Sequence, residues 1–187
     1  VPALRFGLIP LRLSVWPDAA AEQARQDGQW TLPEGERVHL GSVKLVSDGS
    51  LQGYTGFLND PYFSVPEDHP PEYLGFPNQS PQQLSEQVVQ FHCAGRQTAI
   101  HANGDAAISM SLDAVAAARQ QCPDVTVQPV LIHAQMATGE QLTRMQALDV
   151  IPSFFNSHVY YWGDRHRDIF LGPERAARIS PLAEAAD

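Results

Sequence analysis

Apolar positions along the chain follow two different periods. Short apolar runs stand at residues 38–47 (VHLGSVKLVS), 97–102 (QTAIHA), 125–133 and 150–155 (VIPSFF). Their length and their Gly, Pro, Asn and Ser borders predict buried strands. Residues 4–16 (LRFGLIPLRLSVW) predict a further strand with a proline inside it. Between these runs the spacing lengthens. Leu84, Val88 and Phe91 share one helical face, as do Ile108, Leu112 and Val115 within 105–120, and Leu142, Met145 and Leu148. That spacing predicts amphipathic helices.

The helix boundaries carry their own chemistry. Ser80-Pro81-Gln82-Gln83 offers a cap, a first-turn proline and a glutamine able to reach back. Thr138-Gly139-Glu140-Gln141 repeats the capping pattern, Asp18 can cap a short helix to about Gln26, and Gly95 can end the helix that Ser80 starts. Residues 48–80 are rich in Gly, Pro, Asn and aromatics without a period, which predicts a long functional loop or lid. The last residues, RISPLAEAAD, read as the start of a helix, and 154–162 as an aromatic loop.

Strand and helix alternate, so the fold class is α/β with parallel strands and crossover helices. An open doubly wound sheet and a β/α barrel both fit. No GxGxxG or GxxxxGK[ST] occurs, which weakens nucleotide-binding versions of the open sheet. About five βα units are visible, whereas a barrel has eight and about 250 residues. The expectation is one partial barrel domain over residues 1–187, an interior piece cut at both ends.

Composition narrows the function classes. The 187 residues are 43% hydrophobic with a net charge of −9, and an acidic surface disfavours nucleic-acid backbones. No run of about 18 apolar residues predicts a membrane span. Cys93 and Cys122 stand far apart in sequence, outside any CxxC pattern, and point to neither a disulfide framework nor a cysteine-rich zinc site. They lean towards a reducing, cytoplasmic setting. The expected partner is a small-molecule substrate, with a homo-oligomer as an open option.

In both layouts the reaction site lies at the carboxyl ends of the strands. There stand Lys44 in VKLVSDGS, His101 in AIHANGD, His133 in LIHAQ and His158 in NSHVYYWGD. One strand-end histidine is more often structural than a ligand, and Lys44 alone could be an edge lysine. Several imidazoles on one rim are what a metal site requires. A buried lysine loses its proton more readily and can then add carbon dioxide, giving a carboxylate-like bridge for two metal ions. Asp48 either faces the site or serves a turn, and Asp105 reads as turn chemistry. Tyr160, with Tyr161 and Trp162, either contacts substrate or packs. His166-Arg167-Asp168 reads as a solvated charged stretch, and no GxSxG elbow occurs.

Taken together, VKLVSDGSLQGYTG, AIHANGDAAISMSLDAV, VLIHAQ, VIPSFFNSHVYYWGDRH and LGPERAARISP resemble the amidohydrolase superfamily, in its amidohydrolase-3 branch, which includes N-substituted formamide deformylase. The likeness runs from about Val38 to Pro181. It implies a metal-dependent (β/α)8 hydrolase acting on amide or related C–N bonds, with zinc, one or two ions, as the expected metal. By matching positions, Lys44 is the fourth-strand lysine that can be carboxylated, His101 the fifth-strand metal histidine and His133 the sixth-strand one. These three are the expected catalytic and metal residues. His158, Asp48 and Tyr160 are the expected substrate-side residues. Strands three to seven would then be present. The family's first-strand HxH pair and eighth-strand aspartate are absent, so this piece would hold at most half a site. The alternative is a non-catalytic α/β module that binds a small ligand and uses the histidines structurally.

Overall fold

Four of the apolar runs become neighbouring strands of one parallel sheet. The structure, a computed structural model, describes residues 13–32 and 37–186. Strands β3 (Val43–Val46), β4 (Thr98–Ala102), β5 (Val130–His133) and β6 (Ile151–Phe154) lie side by side in chain order. Helices α2 (Pro81–Cys93), α3 (Asp105–Gln121) and α4 (Gly139–Ala147) fall in the connections between them. Sequential parallel strands joined through helices are consistent with part of a (β/α)8 barrel.

A separate parallel pair is made by β1 (Leu13–Val15) and β2 (Val38–Leu40). The expected strand 4–16 is therefore seen over Leu13–Val15, and its first part lies outside the described residues. The expected strand 38–47 is broken at Gly41-Ser42. Before the break the chain pairs with β1, and after it with β4. A Cβ at Gly41 would run into the Trp16 ring and the Ser14 hydroxyl, so any larger residue here would have to displace those side chains. Helix α1 (Ala19–Gln26) follows the Asp18 cap, as its sequence predicts.

Helices α2 and α3 pack together over the sheet. Ser80 and Gln83 form the full capping box of α2. Leu84, Val88 and Phe91 face inward against Ile108, Leu112 and Val115, all at most 1% exposed. Each such burial contributes on the order of 1.5–3 kcal/mol. Ala107, Ala114 and Ala118 are also buried and let the helices approach closely. Thr138 and Gln141 make the second capping box, on α4.

Several expectations are corrected. Cys93 and Cys122 form a disulfide, because α2 and α3 end beside one another and bring residues 29 apart in sequence into bonding distance. The cysteines therefore give no support to a reducing compartment. The strand expected from residue 125 begins only at Val130, since Pro129 has no N–H for a ladder. The aromatic loop is a helix, α5 (Ser157–Arg165), because no proline or glycine interrupts 157–162. Among the described residues the expected terminal helix is not seen: α6 (Gly172–Ala176) ends before it, and Ser180 takes a left-handed φ of 51° ahead of Pro181. His166 is not solvated. A wide π-type turn over His166–Phe170 drives it inside, while Arg167 and Asp168 pair on the surface.

The long loop 48–80 is irregular but firmly held. Leu51, Leu58 and Tyr62 form a second core with Phe170, Leu171 and Ile179. The N–H of Phe63 donates to the carbonyl of Phe170 (2.9 Å), and the Arg175 guanidinium donates to the carbonyls of Asp60 and Pro61. This second core joins the segment after β3 to the segment after β6. No helix among the described residues is long and apolar enough to cross a membrane.

Candidate active site

The sheet register brings the strand-end residues onto one rim. His101 stands opposite Val46, His133 opposite Ala102, and Phe154 opposite His133. The His101 and His133 ring centroids are 4.7 Å apart, and those of His133 and His158 are 5.2 Å apart. His158 reaches this cluster from the first turn of α5. Lys44, two residues below the end of β3, lies near enough for its charge to depress both His101 and His133.

Burial is the main force on these groups. It lowers the affinity of Lys44 for its proton. It does the same to His101 and His158, and carries His133 down to about 4, helped by the repulsion that a proton there would meet from His101 and His158 when they are protonated and from Lys44. All three imidazoles are therefore neutral at pH 7, the form that binds metal. Nε2 of His101 lies 3.0 Å both from the carbonyl oxygen of Gly49, which can only accept, and from Nδ2 of Asn103, which can only donate. Asn103 donates from Nδ2 to the same carbonyl at 2.7 Å.

The backbone beneath His133 is strained. His133 and Ala134 have φ of 72° and 43°, two successive left-handed residues that are not glycine. Such conformations cost roughly 1–3 kcal/mol each and persist where the surroundings enforce them. Nδ1 of His133 and Nδ1 of His158 are both buried without a hydrogen-bond partner. Unpartnered nitrogen lone pairs on neutral imidazoles, beside a lysine disposed to lose its proton, fit a divalent metal. Among the described residues no three His, Cys, Asp or Glu side chains are grouped to hold an ion. The candidate donor set is thus His101 and His133 with Lys44.

Asp48 is brought close but turned inward. It is fully buried, and its carboxylate accepts hydrogen bonds from the backbone N–H groups of Phe57, Asn103 and Gly104 at 2.8–3.0 Å. It braces the turn that follows His101 and presents no face to open solvent. Tyr160 is 83% exposed, with its ring edge-on to Tyr161 at 4.9 Å, so the structure does not draw it into the histidine cluster. Asp105 accepts from the backbone and side chain of Asn59, tying the long loop to α3.

Phe155 was not singled out by sequence, yet its ring lies 4.8 Å from His158 and 5.9 Å from His133, and it is half exposed. It stands one residue past β6, where the same strand-end rule could have found it. Asn103 lies two residues after His101, on the same side of the strand's pleat.

The profile of the amidohydrolase family matches residues 7–187. YtcJ of Bacillus subtilis (strain 168), which bears an amidohydrolase name, is 30% identical over 145 residues, or 75% of this chain and 25% of its own length. LONG AFTER FAR-RED 3 of Arabidopsis thaliana is 29% identical over 150 residues, 80% of this chain and 25% of its own. The chain thus spans a quarter of the length of these curated relatives. Two solved structures share the fold. An uncharacterized metal-dependent hydrolase from Pyrococcus furiosus matches with a TM-score of 0.76 at 23% identity, covering 94% of this chain and 34% of that one. One from Pyrococcus horikoshii OT3 matches at 0.66 and 22%, covering 84% and 32%.

Proposed function

This chain belongs to the amidohydrolase family, and from that premise we propose that it carries part of the site of a metal-dependent hydrolase that cleaves an amide or related C–N bond. The activity is proposed for a whole protein of the relatives' kind. Lys44, His101 and His133 would hold the metal, most readily zinc, as one or two ions. When bound, such an ion polarises the scissile carbonyl and acidifies water.

The chain's own residues supply the rest. Neutral His101 and His133 each offer one ring lone pair, the first held in orientation by the Gly49 carbonyl and the Asn103 amide. Burial lowers the proton affinity of Lys44, which readies its amine nitrogen to attack carbon dioxide. One N–C bond forms, the amine proton leaves, and a carbamate oxygen is gained as a donor. His158 would meet the substrate, a small molecule, through its unpartnered Nδ1, and Phe155 supplies apolar surface beside it. The observation that carries this reading is the convergence of His101, His133 and His158 on one rim within 4.7–5.2 Å, ring to ring.

Elemental analysis of purified protein, without chelator, tests it. Close to one or more zinc ions per chain is expected, lost in the His101→Ala/His133→Ala double variant. A metal-free protein, or one whose metal survives the double variant, overturns the assignment.

A further inference from the structure

Gln135 lies two residues past His133, in the turn that leaves β5, and it has no exposed surface. Its backbone carbonyl accepts the N–H of Ser180 at 2.8 Å. Its side-chain Nε2 lies 3.3 Å from Nε2 of His166, which is also fully buried. Positions 166 and 180 both belong to the segment that follows α5, the helix carrying His158. One residue in the turn that presents His133 is therefore joined at two points to the segment that presents His158.

The polar cluster is costly. Oε1 of Gln135, Nδ1 of His166 and Oγ of Ser180 are buried and have no hydrogen-bond partner. Turning the amide over would let Oε1 accept from the imidazole, but would leave the amide N–H groups unmet instead. Each unmet group costs about 1–3 kcal/mol, and apolar groups of the same shape would avoid that cost. Stability does not account for this cluster. Direction does: an apolar contact tolerates sliding, whereas a hydrogen-bonded amide–imidazole contact fixes a register.

We infer that Gln135 is a positioning residue, which with His166 and Ser180 sets the placement of His158 against His133. The inference rests on the reading of these histidines as a reaction site.

The test compares wild type with Gln135→Met, similar in shape but without the hydrogen bond, and with the Gln135→Met/His166→Leu pair, in the full chain. Histidine ring and methyl spectra are recorded by NMR without metal. The His158 signals are expected to shift or broaden in both variants, while those of Leu84, Val88 and Leu112 stay in place. Zinc affinity, measured by competition with a chromophoric chelator, should fall about tenfold, the usual scale for groups that orient ligands. The melting temperature of the double variant should hold or rise, which a merely structural role would not produce. His166→Gln keeps a polar partner for Gln135 and should leave the His158 signals near their wild-type positions. If Gln135→Met does not fold, His166→Leu alone gives the same comparison. Unmoved His158 signals would overturn the inference, as would an affinity loss that only follows lost stability. Wild type taking up no zinc would instead sink the proposed function, and the metal-free spectra would still decide the role of Gln135.

Discussion

Asp48 Oδ1 lies 3.8 Å from Nε2 of His101, yet the two make no hydrogen bond, because the carboxylate is occupied by backbone N–H groups and the imidazole by the Gly49 carbonyl. The acid beside the histidine is a brace for the turn at Asn103-Gly104. Burial pushes its pKa up to about 6, against the pull of those N–H groups.

Asp48→Asn is expected to destabilise the protein by about 2–4 kcal/mol, since an amide nitrogen cannot accept the N–H groups that one carboxylate oxygen now holds. Chemical denaturation at pH 7 measures it. The ionised carboxylate is disfavoured in the folded state, so the titration-linked part of the Asp48 contribution, separate from the N–H bonds it accepts at pH 7, is fully present below about pH 3.8 and is lost as pH rises through about 6. An Asp48→Asn profile that keeps this fall would show that another group causes it.

His166 works in the opposite direction. Burial lowers its pKa from 6.5 to about 4, with the charge of His158 adding to the effect. Its contribution is complete above about pH 6.5 and is lost as pH falls through about 4, on the order of 3 kcal/mol. Replacement by Gln should flatten the acid limb of stability against pH. An unchanged acid limb would place the sensitivity at another group.

Reducing the Cys93–Cys122 bridge releases a loop closed across 29 residues of sequence separation. Loop entropy puts the loss at about 3–4 kcal/mol. Thermal melts with and without dithiothreitol should differ by several degrees, and a Cys93→Ala/Cys122→Ala variant should be indifferent to the reductant. Equal melts for wild type would show that the bridge adds nothing.

Glu22 is a fully buried carboxylate paired with Arg25 at 2.8 Å and Arg96 at 2.9 Å, and Arg96 also donates to the carbonyl of Gly41. Glu22→Ala leaves both guanidinium groups short of a partner, with an expected loss of about 3 kcal/mol in urea unfolding. A loss under about 1 kcal/mol would mean that water replaces the carboxylate at little cost.

The parallel βα order, the capping boxes at Ser80 and Thr138, and the histidines at strand ends were legible because each depends on near neighbours and simple periods. His101 and His133 meet because strand ends in such a fold share one rim, and His158 joins them from the first turn of α5. The Cys93–Cys122 bridge was hidden, since it depends on how α2 and α3 finish in space. His166 was misread from its charged neighbours, because the wide turn that rotates it inward leaves no periodic trace. Asp48 was recognised as a residue of the site region, but its inward direction follows from the loop returning Phe57 to it, a contact across nine residues without pattern. Gln135 and Phe155 lay within quoted motifs and passed as ordinary polar and apolar positions.

As a covalent graph, the chain is a closed ring over residues 93–122 with a tail at each side. His101 and Asn103 ride on the ring, while Lys44 and His133 sit on opposite tails. A single trypsin cut after Arg96 or Arg119 therefore opens the ring without dividing the molecule. The nicked protein would migrate as one species until reductant is added, and only then separate the two tails.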